Sequence, residues 1–159
     1  MFSRLALAAL IGLASLPALA QAERPYPADL VAIETCLDTN GPGLDRQIVC
    51  IDVVSGPCLD QPGNDTTAGM NICLGRSIDA WDAILNEAYR AARVGLDDAQ
   101  RSLLRDAQRA WITFRDKRCA LEASYYRGGT LAGVVHGGCL EHETAIRAID
   151  LRQIARGRP

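Results

Sequence analysis

The chain has 159 residues, 17 Lys and Arg against 19 Asp and Glu, and a formal charge of −2. Because the two signs are interspersed, the balance argues against a nucleic-acid partner or an anionic membrane surface. With the leader-like first 22 residues set aside, about 137 remain, which suits one domain with a modest core.

Residues 1–22 read as a secretory signal peptide. Arg4 supplies the positive start, Leu5 to Leu16 the apolar run, and Ala20-Gln21-Ala22 the small-x-small cleavage pattern, with Ala18-Leu19-Ala20 as competitor. Neither cleavage point is followed by cysteine, so no lipid anchor is expected. No later apolar run approaches the ~20 residues of a membrane span. The expected location is therefore the bacterial periplasm or the medium, with no membrane insertion after cleavage.

Residues 23–57 read as an N-terminal extension. Glu23 to Pro27 is a polar lead-in, and Ala28 to Asp38 forms a short helix stopped by Thr39-Asn40-Gly41-Pro42-Gly43. Leu44 to Val54 fits a strand by its β-branched residues and a helical turn equally well. Ser55 to Thr67, with Gly56-Pro57 and Gln61-Pro62-Gly63-Asn64, reads as loop. Its Asn64-Asp65-Thr66 matches a glycosylation sequon that a bacterial export signal leaves idle.

From residue 58 onward, 58–159 reads as a helical domain. Met70, Cys73, Leu74, Ile78, Trp81, Ile84, Leu85 and Ala88 recur at three- and four-residue steps, which predicts a helix over about 67–94 stopped by Gly95. Asp97 with Gln100 makes a capping box, so a second helix runs to about Tyr125, burying Leu103, Leu104, Ala107, Trp111, Phe114 and Leu121. A third follows the Gly137-Gly138 break, from Cys139 to Ala155. Three amphipathic helices must pack together, so the fold class is all-α: a small disulfide-stapled bundle of three main helices with an irregular N-terminal extension.

All six cysteines (Cys36, Cys50, Cys58, Cys73, Cys119, Cys139) follow the leader, and an even count behind an export signal implies three disulfides. Six cysteines allow 15 connectivities. Pairing by sequence neighbours is preferred, because each pair then closes a loop containing turn formers.

Catalytic constellations are incomplete. His136, Cys139 and His142 resemble metal ligands only until Cys139 is oxidised, and a fourth ligand is lacking. His142-Glu143 begins a zinc-protease motif whose second histidine falls on Ile146. Asp97-Asp98 and Glu141 with Glu143 are glycosidase candidates by residue type alone. No phosphate loop, dinucleotide fingerprint or nucleophile elbow occurs, so no enzyme, cofactor or metal is expected. Trp81, Trp111 and Phe114 read as core. Asp82, Asn86, Arg115, Asp116, Thr144 and Arg147 lie in or beside the apolar stripes, where burial demands partners. The expectation is a structural polar network in which Arg115 or Arg147 meets Asp82 or Asp116 across helices.

Cys58 to Cys73, Trp81-Asp82, Leu85-Asn86, Tyr89, Gln108-Arg109-Ala110-Trp111-Ile112, Phe114-Arg115-Asp116, Cys119, Cys139-Leu140, Thr144 and Arg147 form an ordered series. It resembles the lysozyme inhibitor LprI-like family over roughly residues 58–155. The resemblance implies a helical envelope domain with Cys58–Cys73 and Cys119–Cys139 bonded, and a protein partner that is lysozyme or another muramidase. The alternative is an envelope structural or interaction protein without inhibitory activity. An inhibitor of this kind would present the loop between Cys119 and Cys139, where Tyr125, Tyr126, Arg127 and His136 are the candidate binding residues.

Overall fold

The computed structural model describes residues 24–157, so the signal-peptide segment and its cleavage point lie outside the described residues. The described chain is all-α: α1 (Pro27–Asn40), α2 (Leu44–Gln47), α3 (Ser55–Leu59), α4 (Thr67–Ala92), α5 (Asp98–Ser124) and α6 (Leu131–Ala155), with a 3-10 turn at Ile48–Cys50.

Local chemistry sets most of the boundaries. Pro27 opens α1 at a position where its missing N–H costs nothing. Thr66 caps α4 by accepting from the Gly69 N–H at 3.1 Å. Asp97 and Gln100 form the expected reciprocal box, at 2.8 and 3.0 Å. Gly95 then takes φ 80°, a left-handed conformation that turns the chain between α4 and α5.

Two segments differ from the sequence expectation. Ser55–Leu59, expected as loop, is a short helix, while residues 44–54 take the helical-turn alternative and not the strand, since Cys36–Cys50 ties this stretch back onto α1. The third long helix begins at Leu131 rather than Cys139 and runs through Gly137-Gly138. The reason is packing. A Cβ on Gly137 would sit 3.2 Å from the Leu74 side chain, and one on Gly133 would sit 3.3 Å from Asn71. These glycines, one turn apart, let α6 approach α4 closely, and that contact offsets their low helix propensity.

The core lies where α4 and α6 pack along their lengths, with α1 laid across them. Trp81 is fully buried, among Ile33, Leu37, Ile84, Leu85, Ile149 and Leu151, and its indole N–H donates to the Ile51 carbonyl at 2.9 Å. The N-terminal segment therefore shares the core of the region after residue 58. Ion pairs fasten it: Arg76 of α4 grips the buried Asp29 of α1 through two bonds of 2.5 Å, Arg152 of α6 reaches Glu34 at 2.6 Å and Asp38 at 3.9 Å, and Arg24 meets Asp79 of α4 at 3.3 Å. Asp29 in turn raises the Arg76 pKa, chiefly through the hydrogen bond.

The disulfides are Cys36–Cys50, Cys58–Cys73 and Cys119–Cys139, the neighbour pairing. The last joins α5 to α6.

α5 behaves unexpectedly. It packs on α6 but hardly meets α4. Leu103, Phe114 and Leu121 are 71%, 55% and 57% exposed, and Trp111 is only half-buried, so the expected burial of this stripe fails. The face turned inward is the neighbouring row of Leu104, Gln108, Trp111, Arg115 and Cys119. A single neighbouring helix covers one narrow stripe, and the anchoring Cys119 selects which one.

Candidate functional site

Because α4 and α5 diverge over α6, a groove opens between them. Its wider end has a volume of about 860 Å³ and is lined by Ile78, Asp79, Asp82, Asn86, Arg90, Arg115 and Leu140, with Arg24 and Pro25 at the edge. A smaller hollow of about 270 Å³ continues it past Tyr89, Arg105, Gln108, Arg109, Trp111 and Ile112. Asp82, Asn86 and Arg115 belong to both. Helical spacing explains the convergence: 82, 86 and 89 share one face of α4, and 105, 108, 112 and 115 share one face of α5.

Arg115 is held at the centre. Its guanidinium lies 5.0 Å from the Trp111 ring centroid, donates to Asp116 at 2.9 Å, and reaches the Thr144 hydroxyl on α6 at 3.4 Å. Asp82 accepts from the Asn86 amide at 2.9 Å. Arg147 donates to Gln108 at 2.9 Å and to Asp150 at 2.7 Å. The six polar residues thus form three small sets. The expected bond from Arg115 or Arg147 to an acid on another helix is not made: Asp116 is Arg115's neighbour on α5, and across helices each arginine meets a neutral group. Gln108, 8% exposed, is the member that sequence reading missed, although it stood in the Gln-Arg-Ala-Trp motif.

The α5–α6 connection is a hairpin tip and not a long loop. Tyr125 and Tyr126 are 75% and 44% exposed, and Arg127 donates to the Ser124 carbonyl at 3.2 Å. Gly128 provides the turn at φ 82°. His136 lies apart from these three in sequence position and setting, half-buried in the second turn of α6. Cys119–Cys139 clamps the two helices just behind the tip.

Glu141 and Glu143 are buried on different sides of α6, as residues two apart must be. Glu143 pairs with Arg118 of α5. Glu141 sits beside Ser55 and Ser77; burial pushes its pKa up, and the two hydroxyls offset only part of that. They are not carboxylates facing one another across a cleft. Among the described residues, no group of three His, Cys, Asp or Glu is placed to hold a metal.

Comparison with known proteins matches residues 58–151 to the family described as "Lysozyme inhibitor LprI". An uncharacterized protein of Rhizobium meliloti (strain 1021) is 32% identical over 98 residues, covering 54% of this chain and 70% of the relative. The uncharacterized protein YecT of Escherichia coli (strain K12) is 37% identical over 75 residues, 38% of this chain and 46% of that one. No solved structure matches. The matched span takes in all of α4 and α5, both ends of Cys58–Cys73 and Cys119–Cys139, and every groove residue from Ile78 to Leu140, and on that match the chain belongs to the LprI family.

Proposed function

We propose that this protein works in an oxidising compartment outside the cytoplasm, the periplasm or beyond, and inhibits lysozyme or a related muramidase. The family match carries the reading. Three disulfides support the location, since such bonds persist where thiols are not kept reduced. Among the described residues no helix is long and apolar enough to cross a membrane.

The hairpin tip suits the task. A muramidase cleft is concave and carries two catalytic carboxylates. A convex tip with Tyr125, Tyr126 and Arg127 offers aromatic surface and one guanidinium for those acids, and the Cys119–Cys139 clamp limits the entropy lost on docking. Purified disulfide-bonded protein should slow clearing of a cell-wall suspension by at least one muramidase at micromolar concentration. An absence of effect across goose-type, chicken-type and bacterial muramidases ends the proposal and favours an envelope interaction protein.

A further inference from the structure

We infer that the groove between α4 and α5 is a saccharide site, and that it takes a carboxylate-bearing N-acetyl amino sugar of the muramyl-peptide type. This inference rests on the groove alone, and not on the hairpin tip reaching an enzyme.

The first argument is shape. At about 860 Å³ the wide end, with Asp82, Asn86, Arg90 and Arg115, falls in the range of ligand sites, and the hollow of about 270 Å³ that carries Tyr89, Arg109 and Trp111 opens from it; both are concave, so they receive a ligand rather than entering another protein's cleft. Chemistry comes second. A sugar ring presents C–H faces to aromatic surfaces and hydroxyls to groups that both donate and accept. The groove is lined by the half-buried rings of Tyr89 and Trp111, each with an arginine over it (Arg93 at 5.8 Å, Arg115 at 5.0 Å), by the Asn86 amide and the Asp82 carboxylate, which bond each other, and by Gln108, which holds Arg147. Charge comes third. Arg90 and Arg109 are exposed on the groove's walls and have no ion-pair partner among the described residues, unlike Arg115, which is engaged by Asp116. Unspent guanidiniums at the rim of a polar, aromatic groove fit a carboxylate carried by the sugar's peptide stem. A neutral glycan leaves them unused, and a polyanion meets Asp82, Asp79 being paired with Arg24 at 3.3 Å. A protein with this site would hold the glycan that muramidases cut.

The test is an NMR titration of the purified disulfide-bonded protein with muramyl dipeptide, with the N-acetylglucosamine trimer as neutral sugar and the free dipeptide as acid without sugar. Muramyl dipeptide should give saturable shifts at Asn86, Gln108 and the Trp111 indole, with a Kd of about 1 mM or tighter. Both controls should bind at least ~10-fold more weakly, and R90A/R109A, changing two exposed side chains, should lose a similar factor with Tm unchanged. No saturable shift by about 10 mM overturns the inference. So does equal binding of either control, an unaffected R90A/R109A, or shifts confined to the hairpin tip. Failure here leaves inhibition at the tip standing, because that is read by enzyme rate.

Discussion

Trp81 and Phe114 looked equivalent in the sequence, each an aromatic on a helical stripe, yet one is fully buried and the other 55% exposed. Trp81→Ala should cost about 3–5 kcal/mol, through lost burial, a cavity and the orphaned Ile51 carbonyl. Phe114→Ala should cost under about 1 kcal/mol. Urea denaturation separates the two, and equal losses would mean that α5 is turned the other way. Glycines divide similarly. Gly75 has open space where a Cβ would go, so Gly75→Ala should stabilise by up to about 1 kcal/mol through helix propensity. At Gly69 the new Cβ would stand 2.5 Å from the Asn64 Cα, so the same substitution should destabilise. Glu141 adds a pH signature. Its folded pKa is raised by burial, so the neutral form is favoured in the fold and its contribution is lost as pH rises through that pKa. Relative to Glu141→Gln, the native protein should be comparably stable near pH 4 and progressively less stable toward pH 7. A Tm difference that stays constant between those values would show that Glu141 is not desolvated.

Among the elements, α5 is the least secured. It buries only Gln108 and Cys119 and leans on α6 alone, whereas α1 is fixed by ion pairs to Arg76 and Arg152 and by the common core. Replacing Cys119 and Cys139 by alanine should cost about 3 kcal/mol. The loss should appear first as faster amide exchange in α5, with α4 and α6 still protected. Uniform loss of protection would show that the bundle opens as one unit. Arg76→Ala leaves Asp29 buried without its partner, and should cost about 2–3 kcal/mol after allowing for the arginine's partial exposure. The sequence made α4 legible because its buried face is continuous and flanked by Thr66 and Gly95, and made the start of α5 legible through Asp97 and Gln100. It misplaced the start of α6 because Gly137-Gly138 read as a break, when the missing Cβ of Gly137, like that of Gly133, serves a contact with residues over 60 positions earlier. The inward row of α5 was hidden for a related reason. Gln108 and Arg115 are polar, and only tertiary partners at Arg147 and Thr144 justify turning them inward.

At the scale of the molecule, two surfaces emerge from one packing choice. Letting α5 meet α6 without α4 leaves a concave groove on one side and projects a clamped convex tip at its end. The polar residues of the groove were visible in the sequence as a motif. Their convergence was not, because it depends on how far two helices diverge. The tip's residues were visible too, but the sequence could not show that His136 stands apart from Tyr125, Tyr126 and Arg127 within a helix. Inhibition through the tip is the central claim, and the most direct measurement is the inhibition constant against a muramidase acting on a small soluble chitooligosaccharide, which has no carboxylate for the groove to hold. The native protein should inhibit, and Tyr125→Ala/Tyr126→Ala/Arg127→Ala should weaken inhibition by at least ~100-fold at unchanged Tm, since interface anchors of this kind carry about 2 kcal/mol or more each. A triple variant that inhibits as well as the native protein, or a native protein inert on that substrate, contradicts the account.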